Sequence, residues 1–217
     1  MTNELGNCPN CGTALKNSML SSVKLLSDNK IAIINEYHET KSSGYCSKCG
    51  NSLFTTNSMK VASERQKVIE EIENLISVIP VISIQSPLNW NYDILDMVTG
   101  QSTTGTGVVS EFSSSFTDLF GAQSGRFNRK LRSGENMCFA QLRKQAMDLG
   151  GNAVIATDID YSEVGGAKGM LMVCMAGTAI ILKNTDILGE ERANILNQIE
   201  ELNDRILHLN SFDINEL

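Results

Sequence analysis

Four of the six cysteines stand in two Cys-x-x-Cys pairs, each followed directly by glycine. In such a turn, successive backbone amides point towards the thiolates, and glycine permits the tight bend. Four thiolates at about 2.3 Å complete a tetrahedral zinc site and leave no position for water. The spacing therefore predicts one structural Zn²⁺ and no catalytic metal. Its ligands are Cys8, Cys11, Cys46 and Cys49.

Two other interpretations of these cysteines stay open. An iron site would use the same four ligands. A pair of redox dithiols would require a βαβ setting and a charged partner for one thiolate. His38 is the histidine nearest the pairs and could replace a cysteine ligand, but we expect it on a solvent-facing strand. Cys138 and Cys174 are isolated among apolar neighbours, which is typical of small core residues.

A zinc ribbon that contains both cysteine pairs is predicted over residues 1–58. A module of this size needs a bound metal or a disulfide to be stable, because its own core is too small. Between the pairs, "SSVKLLS" and "KIAIINEYH" are rich in β-formers around "DNK" and predict a hairpin. A linker helix is predicted over 59–79, with Ser63 as its N-cap and its end before Pro80.

Residues 80–185 predict a small domain with the order strand, loop, helix, strand, turn, strand. The helix lies in "RFNRKLRSGENMCFAQLRKQAMDLGG", and Gly150 suits a left-handed C-cap. Two β-rich runs follow, "NAVIATDIDY" and "GMLMVCMAGTAIIL". The fold class is therefore α+β, with a zinc ribbon, a β-α-β-β domain and flanking helices. The apolar face of the central helix comprises Phe127, Leu131, Cys138, Leu142 and Leu149.

Residues 186–217 predict an amphipathic helix with the spacing of a coiled coil. Two alternatives stay open, because so short a seam can dock on its own chain or pair with a second copy. The seam consists of Ile195, Ile199, Leu202, Ile206 and Leu209.

The central domain offers little for catalysis. The chain has 2 histidines, His38 and His208, and neither lies in that domain, so a mechanism with an imidazole base has no candidate there. Asp158 and Asp160 alternate along one strand and, with Glu163, could hold a hard cation. A polar strand face is the interpretation we favour. We therefore assign no catalytic residue and favour a non-enzymatic protein, with an enzyme as the open alternative.

The charge distribution also restricts the partners. The net charge is −7, and residues 184–217 contribute most of it. No dense basic stripe is present, so nucleic-acid binding is not expected. The longest apolar runs are interrupted by Pro or Gly and do not predict a membrane span. The first residues, "MTNELGNCPNCG", do not have the pattern of an export signal, and we expect a cytoplasmic location.

The central domain resembles the YbjQ-like proteins, a family labelled as heavy-metal-binding, over roughly residues 80–183. The resemblance implies a ring-shaped homo-oligomer, a pentamer, and it brings no enzyme activity. It implies heavy-metal binding by the domain without assigning ligands. The ribbon lies outside the matched region. The motifs that carry the resemblance are "VTG", "GAQSGRF", "A-x-x-LGGNAVI", "DIDY" and "MLMV-x-x-x-GTA".

Together these features predict a non-enzymatic, oligomeric metal-binding scaffold or interaction protein. Its ribbon would present a surface to a protein partner. The alternative is an enzyme or small-ligand binder with a site at subunit boundaries near Asp158 and Asp160.

Overall fold

The structure is a computed structural model that describes residues 6–17, 22–103, 122–164 and 170–216. The chain forms two compact units. One, which we call the cysteine module, comprises Met1–Glu71 with Asp204–Leu217. The other, which we call the sheet domain, is Ile72–Asn203. In sequence, the sheet domain is thus inserted between two parts of the cysteine module.

The cysteine module combines a very short hairpin with helices. Strands β1 (Lys16–Asn17) and β2 (Ser22–Val23) pair antiparallel. Helix α1 spans Asp28–Tyr37, and helix α2 spans Ser47–Leu75. The module thus keeps the cysteine pairs and a short hairpin of the predicted ribbon.

The predicted second arm of the hairpin, "KIAIINEYH", is wrong, because these residues form α1. The Ser27 hydroxyl caps the helix by accepting the Lys30 N–H at 3.3 Å. Ile33 and Ile34 are fully buried on one side of it. Burial of two adjacent residues on one side fits a helix and not the alternation of a half-buried strand. The burial of these side chains in the tertiary fold outweighs the β-propensity of isoleucine.

The predicted start of the linker helix at Ser63 is also wrong. Helix α2 already begins at Ser47, beside the second cysteine pair, and Ser63 lies inside it. Its end is confirmed, since α2 stops at Leu75 and a 3-10 turn, Ile76–Val78, follows before Pro80. The sequence between Ser47 and Ser63 is polar and lacks a clear apolar period, so the pattern gave no signal there.

The sheet domain confirms the strand–helix–strand–strand order and the α+β class. It contains β3 (Tyr92–Thr103), α3 (Ala122–Asp148), β4 (Ala153–Val164) and β5 (Met170–Leu182). The strands form an antiparallel sheet in the order β3-β5-β4. The centre of the predicted turn between β4 and β5, residues 165–169, lies outside the described residues.

Helix α3 covers one face of this sheet. Cys138 and Leu142 are fully buried there among Val98, Val154 and Val173. Leu149 was predicted on the same face, but it follows the end of α3 and is 45% exposed. The side chain of Phe127 lies outside the description. The predicted C-cap is confirmed: Gly150 has φ +78°, and its N–H and that of Gly151 bond to the carbonyls of Met147 and Ala146 at 2.9 and 2.7 Å.

The contact between α3 and β3 is unusually close at Gly100. A Cβ atom at this position would lie 2.7 Å from the carbonyl oxygen of Cys138. The glycine of the "VTG" motif therefore lets the helix backbone approach the strand directly.

The last helix, α4, spans Glu190–Asn210. Within its seam, Ile199, Ile206 and Leu209 are buried in the chain itself, with exposures of 3%, 8% and 0%. This burial favours the docked helix among the two predicted alternatives. Across the described ranges, no helix has both the length and the apolar character to cross a bilayer.

Candidate metal centre

The first cysteine pair lies in a tight turn. Asn7 and Ala14 form a bridge, and within it the Cys8 N–H bonds to the Thr13 carbonyl at 2.8 Å. The Gly12 N–H returns to the Cys8 carbonyl at 2.9 Å, with φ +71° at Gly12. A left-handed backbone at this position suits glycine. The predicted role of glycine in the bend is therefore confirmed for this pair.

The second pair lies at the start of a helix. Cys46 forms a bridge with Leu25 and immediately precedes α2, while Cys49 lies in the first turn of that helix. Here glycine has a different role. A Cβ at Gly50 would lie 2.4 Å from Cδ1 of Leu26 and 2.9 Å from Cβ of Tyr45. Gly50 is required by close packing and not by its backbone angles.

These two local structures bring the four sulfur atoms together. The Sγ atoms of Cys8 and Cys49, of Cys11 and Cys46, and of Cys46 and Cys49 are each 3.7 Å apart. All four lie within 4.8 Å of one another. A tetrahedron with metal–sulfur bonds of about 2.3 Å has edges of about 3.8 Å. Three of the six sulfur separations thus match the edge of a tetrahedral thiolate site, and the other three do not exceed 4.8 Å.

The surroundings of the sulfur atoms are asymmetric. Cys8 and Cys46 are buried, Cys49 is half-buried and Cys11 is exposed. The Cys46 N–H donates to Sγ of Cys8 at 3.2 Å, and the Asn10 amide donates to Sγ of Cys49 at 3.6 Å. These donors stabilise thiolate charge, as they do around metal-bound cysteines.

The thiols differ in acidity. Hydrogen bonds from the side chain and backbone of Thr13 lower the pKa of Cys11 to about 6. Burial opposes ionisation of Cys8, but backbone N–H groups of Cys11 and Asn10 lower its pKa overall. Burial raises the pKa of Cys49 to about 11. A divalent metal that binds all four as thiolates must therefore displace the proton of Cys49.

Neither histidine joins this site. His38 lies at the end of α1 and not on a strand, and its Nδ1 accepts the Thr40 N–H at 3.2 Å. His208 lies 3.0 Å from a carboxylate oxygen of Glu36. In the part of the chain that the structure describes, the four cysteines are the one group of three or more His, Cys, Asp or Glu side chains placed to share a metal.

A second polar group in the cysteine module has no counterpart in the sequence prediction. Arg205 of α4 donates to Glu36 at 2.6 Å and to Glu64 at 2.7 Å, and Tyr37 donates to Glu64 at 2.5 Å. Burial and the hydrogen bond to Glu64 raise the pKa of Tyr37 and keep it protonated. These residues are far apart in sequence, and no local motif indicates that they are in contact.

Asp158 and Asp160 share one face of the sheet, as predicted. They pair with Ala176 and Cys174 of β5. A shallow cavity of about 190 Å³ lies over this face, and its walls include Thr99, Gln101 and these two carboxylates. The side chain of Glu163 lies outside the description. The two carboxylates do not meet a third metal ligand among the described residues.

The chain thus combines a four-cysteine cluster with an α+β domain. The family model described as "Putative heavy-metal-binding", the YbjQ model, matches residues 88–183. A UPF0145 protein of Actinobacillus pleuropneumoniae serotype 5b (strain L20) is 36% identical over 87 residues, which is 40% of this chain and 82% of that relative. One from serotype 3 (strain JL03) is 34% identical over the same shares. The chain belongs to this YbjQ family of UPF0145 proteins.

A solved structure matches more weakly. It is a crystal structure of a protein of unknown function from Pediococcus pentosaceus, in the DUF74 family, and it is 20% identical with a TM-score of 0.33. The match covers 48% of this chain and 96% of that protein. The four cysteines lie outside the residues that the family model matches.

Proposed function

We propose that this chain is a non-enzymatic, cytoplasmic zinc protein in which a structural Zn²⁺ holds the cysteine module together. The sheet domain would assemble as a pentameric ring, and the cysteine module would offer a surface to a protein partner. The observation that carries the metal assignment is the set of three 3.7 Å sulfur separations. Four thiolate ligands leave no open position, so the metal would be structural.

Metal content of the purified full chain tests this proposal. We expect one zinc per chain by elemental analysis, and a colourless protein, since a four-thiolate iron site absorbs visible light. Cys8→Ser and Cys46→Ser should lose the metal. Cys174→Ser removes a thiol outside the site and should retain it. Wild-type protein without metal after zinc-supplemented, chelator-free preparation would overturn the proposal.

Exposed apolar side chains in the sheet domain support the oligomeric part. Leu88, Ile94 and Met97 are 88%, 69% and 69% exposed. Large apolar groups in contact with water commonly mark association surfaces. Light scattering should give five times the chain mass of 23.7 kDa. A monomer at micromolar concentration would exclude the ring.

The cavity beside Asp158 and Asp160 supports a second candidate, a small-ligand site at a subunit boundary. Both carboxylates are exposed, so cationic ligands suit this surface best. Calorimetric titration with Mg²⁺, Mn²⁺ and a diamine tests it. Binding that Asp158→Asn with Asp160→Asn abolishes, and Asp148→Asn does not, would favour this candidate. Identical titrations of the wild type and the double variant would remove it.

A further inference from the structure

Helix α1 begins beside the second cysteine pair and contacts the residues that follow α4. We call residues 211–216 the tail segment. It belongs to the same compact unit as the four cysteines. It forms no helix or strand; the Ser211 and Phe212 N–H groups bond to the His208 and Leu209 carbonyls of α4, and it also contacts side chains of α1 and α2.

The first link joins the cysteines to the start of α1. Leu25 forms a bridge with the ligand residue Cys46. On either side of the bridge, the Leu26 N–H bonds to the Tyr45 carbonyl at 2.8 Å, and the Ser47 N–H bonds to the Lys24 carbonyl at 2.9 Å. Ser27, the N-cap of α1, follows directly. The start of α1 is thus attached to the backbone that carries a ligand.

The second link joins α1 to the tail segment through Asn29. Its amide nitrogen donates to the Asp213 carbonyl at 2.8 Å and to a Glu216 carboxylate oxygen at 2.6 Å. Its amide oxygen accepts the Asp213 N–H at 3.0 Å. One side chain in the first turn of α1 therefore holds the tail segment by three hydrogen bonds.

Apolar and charged contacts complete the attachment. Phe212 and Ile214 pack against a cluster that contains Ile33 of α1 and Val61 of α2. Arg65 donates to the Phe212 carbonyl at 2.7 Å and also to the carbonyl of Leu209, at the end of α4. Release of the tail segment would leave these groups in water.

We propose that metal occupancy of the four-cysteine site controls the docking of the tail segment, which acts as a metal-dependent latch. This inference rests on the proposed metal site. The core around the cysteines has three buried residues, Cys8, Val23 and Cys46, and two of them are ligands. Without metal, that small core cannot fix residues 24–26. The start of helix α1 is then no longer held in place, Asn29 loses its hydrogen bonds to Asp213, and the tail segment is released.

Hydrogen exchange on the full chain tests the latch. Metal-loaded protein is compared with protein stripped by a chelator, and metal content is measured on the same samples. We expect amides of residues 209–216 to exchange at least tenfold faster after stripping. Amides of β5, in the other unit, should not change and serve as the internal control.

An Asn29→Ala variant separates the latch from simple unfolding of the module. It should speed exchange in 209–216 about tenfold while one metal per chain is retained. The matched control is Asn74→Ala, at an exposed position of α2, which should exchange like the wild type. Wild-type protein without metal would overturn both proposals. Bound metal, with tail exchange unaffected by stripping or by Asn29→Ala, would overturn the latch alone.

Discussion

The side-chain amide of Gln145 pairs with the main chain of Thr99 in both directions. Its Oε1 accepts the Thr99 N–H at 3.2 Å, and its Nε2 donates to the Thr99 carbonyl at 2.5 Å. Gln141 pairs with Gln101 in the same way, at 2.7 and 3.1 Å. Since β3 is an edge strand, these amides of α3 occupy backbone groups that would otherwise be open to another strand.

Replacement of both glutamines should weaken the sheet domain and open this edge. We expect Gln141→Ala with Gln145→Ala to lower the unfolding free energy by about 2 kcal/mol, at about 1 kcal/mol for each paired amide. Aggregation during refolding should also increase. Urea denaturation and light scattering measure the two effects. Lys144→Ala, which removes an exposed ion pair with Asp148 on the same helix, is the control. Equal stability and aggregation in the double variant and the control would contradict this role.

Gly50→Ala should weaken metal retention by the cysteine module. The new Cβ would meet Leu26 and Tyr45, which pack beside the second cysteine pair. Overpacking of this kind typically costs about 1–3 kcal/mol. A coloured chelator should therefore remove zinc from the variant faster than from the wild type. Gly6→Ala is the control, because a Cβ there would have nothing within 4 Å. Equal transfer rates for the two variants would show that the close packing at Gly50 is dispensable.

Acid should destabilise the cysteine module by protonating Glu36 and Glu64, the carboxylates that bond to Arg205. A hydrogen bond from Arg205 lowers the pKa of Glu64. At Glu36, burial acts to raise the pKa, but hydrogen bonds from His208 and Arg205 outweigh burial and the pKa is lowered. A carboxyl with a lowered folded pKa stabilises the fold above its unfolded value of about 4.3 and loses that contribution as pH falls below it.

The measurement is thermal unfolding of the cysteine module between about pH 6 and pH 3. Glu64→Gln removes one titrating partner, and its stability should depend less on pH than that of the wild type below about pH 4.5. Both proteins carry the same cysteines, so the acid sensitivity of the metal cancels in the comparison. Parallel curves for the two proteins would exclude this source of acid sensitivity.

Alkylation should distinguish the thiols of metal-free protein. Cys11 is exposed and its pKa is lowered to about 6, so it is largely thiolate at neutral pH. Cys138 is buried, and burial raises its pKa. Mass spectrometry after brief iodoacetamide treatment at pH 7 should find Cys11 modified well before Cys138. Added zinc should suppress the Cys11 reaction. Faster modification of Cys138 would contradict the assigned environments.

The sequence was informative where the signal is local. The Cys-x-x-Cys spacing predicts the metal ligands because each pair is formed by one turn. The apolar period of α3 predicts its buried face at Cys138 and Leu142 because both lie on one helix. The β-rich composition likewise predicts β4 and β5.

The remaining features depend on contacts between distant residues. Ile33 and Ile34 favour a strand by propensity, yet α1 is a helix because its partners, Val61 and Leu209, bury one side of it. Arg205 gives no indication from its neighbours that it lies beside Glu36. The amide pairs of Gln141 and Gln145 likewise follow from the placement of α3 against β3. Such contacts appear only once the fold is known.

The division of the chain also sets an order for its synthesis. All four cysteines and most of α2 are synthesised before any residue of the sheet domain. Arg205, Leu209 and the tail segment, which complete the same unit, are synthesised after the whole of the sheet domain. The cysteine module therefore cannot complete its contacts until the whole sheet domain has been synthesised. The unit whose synthesis begins before the other is thus the one whose residues are all present only later.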